Sequence, residues 1–458
     1  MKKIKDWSFA KRLFSVALPM IIQNGITNFV SMLDNIMVGQ VGTLPMSGVS
    51  IVNQVLFVFN LCVFGAMSGA GIFTAQFHGA DDSEGERYTF RFKFLIGLLI
   101  TLIGLGVFLG WGKFLISLYL TGDTTGVAAA ETMAYGWDYL TVMLWGLLPF
   151  ALANAYSSTL RETGQTTVPM VAGVAAVLVN LVGNYILIFG HFGAPKLGVV
   201  GAAWATVISR YVELAIVAVW THRNTEKNAF IRDAYKSLSI PGPLTKKIIV
   251  KGMPLLVNEF FWSTGMAFMN QCYSTRGLDV VAAANIATTI TMLCSVVFMA
   301  LGNSVGILMG QMLGAGISEE EIRRDNARMV GLSVASCFGL SIVLIALGFV
   351  FPGVYNTTAE VRAIATGMIC ISAIMMPVNS YNNAMYFTLR SGGQTFITFV
   401  FDSGFSWAIC VPVAFFLSRF TSVGILPMYA IVHGTDILKV GIGAYLLKKG
   451  VWIRRIVT

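Results

Sequence analysis

The chain is written twice, and both copies are built from long apolar runs. Leu160–Thr166 reads LRETGQT and returns 229 residues later as LRSGGQT at Leu389–Thr395. Ala75–Ala80 (AQFHGA) returns 235 residues later as GQMLGA at Gly310–Ala315, and Pro19 and Pro254 share that second offset. Two similar halves joined by one polar linker is how many secondary transporters are built.

Composition places those halves in a membrane. Hydrophobic residues make up 56% of the chain and charged residues 12%, with a mean hydropathy of +0.73. A soluble chain would carry about a quarter charged residues. Lys2, Lys3 and Lys5 ahead of an apolar run imitate a signal peptide. No small-residue cleavage site follows, and the run continues to about residue 38, so it reads as a first spanning helix. The cysteines are scattered through apolar segments without metal-ligand spacing or a disulfide framework.

A bilayer core takes roughly 20 apolar residues per helix. Twelve runs qualify: 13–38, 48–76, 92–112, 132–160, 167–190 and 198–220, then 248–274, 280–312, 328–351, 360–388, 396–417 and 424–447. An even number puts both termini on one side. With the termini cytoplasmic, the inner segments hold most of the Lys and Arg, among them Arg87, Arg161, Lys246 and Arg454. The outer segments keep Lys113, Lys196, Arg276, Arg362 and Arg419. That bias is the positive-inside pattern, so the net charge of +9 reports topology and anionic lipid rather than nucleic acid.

The fold class expected is an all-α integral membrane bundle of twelve transmembrane helices in two pseudo-symmetric six-helix lobes. Residues 1–222 form the N-lobe, 223–246 a cytoplasmic linker containing Pro241-Gly242-Pro243, and 247–458 the C-lobe. Six is even, so both lobes enter the membrane in the same sense, as parallel repeats do.

An ionisable residue inside lipid is costly and marks a candidate site. Asp34 lies in the outer part of the first helix. Asn180 and Asn184 share a face of the fifth, and Thr206 of the sixth falls at comparable depth. One carboxylate with amide and hydroxyl oxygens can coordinate a hard cation or hold a transferable proton. If the ion is sodium, Asp34, Asn180 and Asn184 are its candidate ligands.

Glu259 lies near mid-membrane in the seventh helix beside Asn258 and Trp262. An acid among aromatics suits a lipophilic cation. Asn154, Asn379 and Asn383 complete the candidate substrate contacts. Asp402, His433 and Asp436 are candidates for a proton relay. Arg210 with Glu213, and Asp436 with Lys439, stand three apart and read as local neutralising pairs.

No phosphate loop, H-E-x-x-H or nucleophile elbow is present, which disfavours an ATP-driven pump and leaves an enzyme without a motif. No repeated pore loop suggests a channel. An ion-coupled carrier remains.

At this point the residues resemble a family. LPMIIQNGITNFVSMLDNIMVGQVG in the first helix and the paired LRETGQT and LRSGGQT look like the multidrug and toxic compound extrusion (MATE) family, over essentially the whole chain. The resemblance implies a V-shaped bundle that exports organic cations and drugs in exchange for protons or sodium ions. It also implies a cation site at Asp34, Asn180, Asn184 and Thr206, with Asn184 standing where some members carry a second aspartate. One bacterial branch pairs an acidic seventh-helix residue with a tenth-helix aspartate. Here the tenth helix offers Asn379, Asn382 and Asn383 and no acid, so Glu259 is assigned to substrate.

The expected protein is therefore a proton- or sodium-coupled antiporter, a monomer of the inner membrane with both termini cytoplasmic. It would need no cofactor beyond its coupling ion and would meet small cationic amphipathic substrates and membrane lipids. The alternative is a flippase of a lipid-linked precursor, which should line its path with arginine and lysine.

Overall fold

A computed structural model describes residues 9–120 and 126–457; Lys2, Lys3 and Lys5 lie outside the described residues. All regular structure among them is helical. The N-terminal half contributes α1 (Phe9–Gly39), α2 (Thr43–Gly79), α3 (Ser83–Ser117), α4 (Val127–Glu162), α5 (Thr167–Phe189) and α6 (Val199–Arg223). The C-terminal half contributes α7 (Gly242–Ser274), α8 (Leu278–Gly314), α9 (Glu319–Val354), α10 (Ala359–Ser391), α11 (Thr395–Phe420) and α12 (Ile425–Lys449). Eleven are long and apolar enough to cross a membrane. The seventh matches them in length but is less apolar, because Asn258 and Glu259 sit in its middle.

The helices cluster into two compact units. One holds Ile22–Thr74 and Asp82–Ile248, and the other holds the chain up to Ile21, Ala75–Asp81 and everything from Ile249 onward. In the first, α5 packs on α6 and α3 on α4; in the second, α10 packs on α8 and α9.

The repeated motifs prove to be repeated helix endings. In LRETGQT, Gln165 N donates to Leu160 O at 2.7 Å and Gly164 N to Arg161 O at 3.1 Å; in LRSGGQT, Gln394 N donates to Leu389 O at 3.3 Å and Gly393 N to Arg390 O at 2.9 Å. Each is a Schellman turn, which needs a left-handed residue just past the helix. Gly164 (φ 83°) and Gly393 (φ 70°) supply it. The other pair of motifs ends the same way, with Asp81 (φ 57°) and Gly316 (φ 66°) at matching positions. Asp82 and Ser318 then cap α3 and α9 by accepting from backbone N–H groups of the first turn.

Within the second unit the ends of α2 and α8 cross backbone to backbone. A methyl group on Gly79 would collide with the Gln311 carbonyl, and one on Gly314 with the Gln76 carbonyl, so the two motifs face each other reciprocally. Gln76 is fully buried. Its amide nitrogen donates to Ser391 O (2.9 Å) and Arg454 O (3.1 Å), and its oxygen accepts from Ile456 N (2.8 Å). One side chain thus ties the C-terminal segment to the end of α10.

The prolines open the backbone at chosen points. Pro149 cannot donate to Trp145, and α4 tightens into a 3₁₀ turn at Leu144–Gly146 just before it. Pro377 leaves the carbonyl of Ala373 without its helical donor, and the buried hydroxyl of Ser341 on α9 donates to it instead. The linker is held to its own unit by Arg91 of α3, which donates to the carbonyls of Ala234 (2.8 Å), Asp233 (2.8 Å) and Ser239 (3.1 Å).

Gly79→Ala and Gly314→Ala should each destabilise the protein by about 1–3 kcal/mol, since backbone cannot rotate away as a side chain can. Gly106→Ala on α3, where the added methyl meets nothing within 4 Å, should leave stability unchanged or raise it slightly. Thermal unfolding of the three variants in detergent checks the contrast.

Candidate functional site

The first candidate site lies wholly in the unit formed by Ile22–Thr74 and Asp82–Ile248. Its geometry rests on small residues. A methyl on Gly183 of α5 would come within 2.9 Å of Ala205 of α6, and one on Gly201 within 2.5 Å of the Leu187 carbonyl. Such close approach lets short polar side chains meet across helices. Asn180 and Asn184, four apart on α5, are both buried. Asn184 Nδ2 donates to Asp34 Oδ1 at 2.7 Å.

An amide atom of Asn180 sits 2.7 Å from Asp34 Oδ2 and 3.0 Å from Oδ1, with the other end of the amide 3.1 Å from Thr206 Oγ1. The network closes in two ways. With Asp34 ionised, the Asn180 nitrogen donates to the carboxylate and its oxygen accepts from the Thr206 hydroxyl. With Asp34 protonated, the carboxyl O–H donates to the Asn180 oxygen, whose nitrogen then donates to Thr206 Oγ1 while that hydroxyl donates to Ala202 O at 3.0 Å. A half-turn of the Asn180 amide, which exchanges its oxygen and nitrogen, separates the two. The buried Asn184 Oδ1 has no hydrogen-bond partner among the described residues, so an unfilled acceptor remains beside the acid.

The C-terminal half groups its polar residues differently. Lys439 Nζ on α12 reaches Asp402 Oδ1 on α11 at 3.0 Å, not its neighbour Asp436. The local pairing expected at 436 and 439 is thus corrected: the lysine crosses to another helix, where a carboxylate and two phenyl faces receive it. Arg210 likewise donates to the Gly146 carbonyl at 3.1 Å and lies over the Phe150 ring, rather than pairing with Glu213. The carbonyl beside the Pro149 break is what the guanidinium serves.

Asn258 is buried. Its Nδ2 donates to Asp402 Oδ2 at 3.1 Å, and its Oδ1 accepts from Ser403 Oγ at 2.7 Å and Ser403 N at 3.3 Å. It bridges α7 to α11, with its oxygen taken by Ser403 and its nitrogen turned to Asp402. Glu259 and Trp262 are partly exposed on α7, and Asn379 and Asn383 are half-buried on α10. Asn154 turns its amide back to Phe150 O within α4. The relay candidates do not form a chain. Among the described residues no hydrogen bond joins His433 to Asp402 or Asp436; His433 packs on the Tyr429 ring, and Asp436 offers its carbonyl to Asn382.

A profile of the MatE family matches residues 19–186 and 254–416, one stretch in each half. The chain belongs to the MatE family. It is therefore a multi-pass membrane transporter and not an enzyme. Among its relatives, the probable multidrug resistance protein NorM of Thermotoga maritima is 24% identical over 456 residues, covering 98% of this chain and 94% of its own. The multidrug resistance protein PmpM of Pseudomonas aeruginosa is 26% identical, covering 89% and 83%. A solved MATE multidrug resistance transporter of the MOP superfamily, in an outward-facing conformation, matches the fold with a TM-score of 0.87 at 18% identity over 97% and 96% of the two chains. A MOP superfamily transporter from Pyrococcus furiosus, described as having a binding pocket of reversed polarity, matches at 0.82 and 19% over the same shares.

In this MatE chain three buried polar groups escape sequence reasoning. Tyr139 donates to Asn53 at 3.3 Å and lies within electrostatic reach of Asp34 and Arg210. Arg161 donates to Gln23 at 3.0 Å. Lys93 pairs with Glu162 and donates to Thr159 at 3.1 Å. Only the spacing of Arg161 and Glu162 within a repeated motif hinted at any of them.

Thr206→Val keeps the shape of α6 but removes the hydroxyl that the Asn180 amide needs in either orientation. It should cost about 1–3 kcal/mol, the penalty of an unpaired buried polar group, and Thr206→Ser should recover most of the loss in the same thermal unfolding measurement.

Proposed function

We propose that this protein is a cation-coupled antiporter that exports organic cations and drugs from the cytoplasm by alternating access, with Asp34 as the coupling acid. The observation that carries the reading is the Asp34–Asn180–Thr206 network, which stays hydrogen-bonded with the acid either charged or neutral. The names of the curated relatives support drugs as the cargo.

Of the two coupling ions the geometry favours the proton. The 2.7 Å between Asp34 Oδ2 and the Asn180 amide is a hydrogen-bond distance. A hard metal cation gathers about six oxygens, whereas one carboxylate and two amides offer fewer. Sodium at Asp34, Asn180 and Asn184 is the second reading, supported by the unfilled Asn184 oxygen. Proton uptake neutralises Asp34 and turns the amide, which shifts the equilibrium towards whichever state holds the neutral acid better.

Glu259 and Trp262 are the substrate contacts we assign on α7, with Asn379 and Asn383 as polar contacts on α10; Asn154 of α4 is assigned to substrate separately, within its own unit. Asn258 is withdrawn from that set, because Asp402 and Ser403 occupy it. The protein would act as a monomer in the inner membrane with both termini cytoplasmic. A lipid-precursor flippase is disfavoured, since Arg210, Lys439 and the buried Lys93 are all engaged within the protein.

Ethidium efflux from a pump-deficient bacterium expressing the wild type or a well-expressed Asp34→Asn variant tests the reading. Efflux should be lost in the variant, and lost in the wild type when the proton gradient alone is collapsed. Loss with the sodium gradient alone would select the second ion. Undiminished efflux by Asp34→Asn would overturn coupling at this residue.

A further inference from the structure

Asp402 sits in a stretch of α11 wound as two successive π turns, Val400–Gly404 and Ser406–Cys410. Such wide turns are rare and gather at functional sites. Both carboxylate oxygens are occupied: Oδ1 accepts from Lys439 Nζ at 3.0 Å and Oδ2 from Asn258 Nδ2 at 3.1 Å. The Asn258 orientation is fixed from behind, since its Oδ1 accepts from both Ser403 Oγ (2.7 Å) and Ser403 N (3.3 Å). The ammonium also lies 5.5 Å from the centre of the Phe401 ring and 5.6 Å from that of Phe405. A carboxylate held in place by the Asn258 amide, together with two aromatic faces, surrounds one ammonium and makes up a cation-binding cage.

The occupant of that cage arrives on a tether. The Lys439 side chain is 8% exposed and the Asp402 side chain 22%, so the acid is the more accessible partner. The repeat relation shows the arrangement to be peculiar to this half. The residues matching Lys439, Asp402 and Asn258 in the first half are Arg210, Gly173 and Gln23. There the place of the acid is a glycine packed directly on the Gln23 side chain, and Gln23 accepts from Arg161. The acid that can hold a cation in the first half, Asp34, has amide partners and no lysine.

We propose that Lys439 is the resident cation of a monovalent-cation site formed by Asp402, Phe401 and Phe405, with Asn258 positioning the carboxylate, and that removing its ammonium opens that site to small free cations. The tethered charge keeps the C-terminal half from taking up an ion of its own. Ion exchange is thereby left to the half that contains Asp34. The groups within electrostatic reach of the pair from the surrounding helices are Glu259 on α7, Tyr386 on α10, Cys410 on α11 and Asp436 on α12. The division of labour with Asp34 rests on the coupling proposed above, whereas the site itself does not, and its test measures binding rather than transport.

Lys439→Ala, purified in detergent, would be unfolded thermally in sodium chloride, propylammonium chloride and bulky choline chloride at equal ionic strength. The wild type should unfold at the same temperature in all three. Lys439→Ala should be stabilised by about 3 °C or more in sodium or propylammonium over choline, as a ligand at many times its dissociation constant would do. The double variant Asp402→Asn/Lys439→Ala should lose that response. An identical response in the double variant, or none in Lys439→Ala, would overturn the site. So would a Lys439→Ala that fails to fold in every salt while the double variant folds, because the lysine would then be an ion-pair strut and not the occupant of an exchangeable site.

Discussion

In lipid no water stands ready to satisfy an unpaired N–H or C=O, so every break in a helix has to be answered by the protein itself. Much of the observed side-chain chemistry follows from that constraint. Pro377 releases the Ala373 carbonyl and Ser341 takes it. The α4 break ahead of Pro149 brings Arg210 to Gly146 O. The repeated LR-x-x-GQT motifs close their helix ends with Schellman bonds made possible by Gly164 and Gly393. Gln76, fully buried, commits its amide to three backbone groups, one at the end of α10 and two in the C-terminal segment. Together these residues fix where helices end or bend.

On this common scaffold the two halves carry unlike charges. The first isolates one carboxylate, Asp34, between two amides backed by a hydroxyl, a set that tolerates gain or loss of a proton. The second pairs its half-buried carboxylate, Asp402, with a buried lysine, so its charge is already neutralised. A pair of buried ions is stable only with good geometry and satisfied remaining lone pairs. Asn258 and Ser403 provide both. Duplication therefore preserved the backbone turns while the polar residues inside diverged.

The pattern of what was legible is physical. Helix number, repeat offsets and membrane placement follow from apolar run length and from left-handed turn residues, which are local properties. Asp34, Asn180, Asn184 and Thr206 were also within reach, because a fourfold spacing on one helix and similar depth on others bring them together whatever the detailed packing. The partner of Lys439 was not. Sequence offers a basic residue only its neighbours three and four away, which made Asp436 look sufficient. The true partner lies 37 positions earlier, on a helix whose π turns no periodicity announces. The contacts of Asn258 were hidden for the same reason: beside Glu259 it reads as substrate wall, whereas the fold turns it to α11.

By itself the sequence determined that this is a twelve-helix membrane transporter built from two copies of one unit, because hydrophobicity, charge bias and turn chemistry act over a few residues at a time. Only the tertiary structure decided which acid is met by amides and which is paired with a lysine. That choice depends on distances of about 3 Å between helices far apart in the chain, and such distances exist only once the helices have packed.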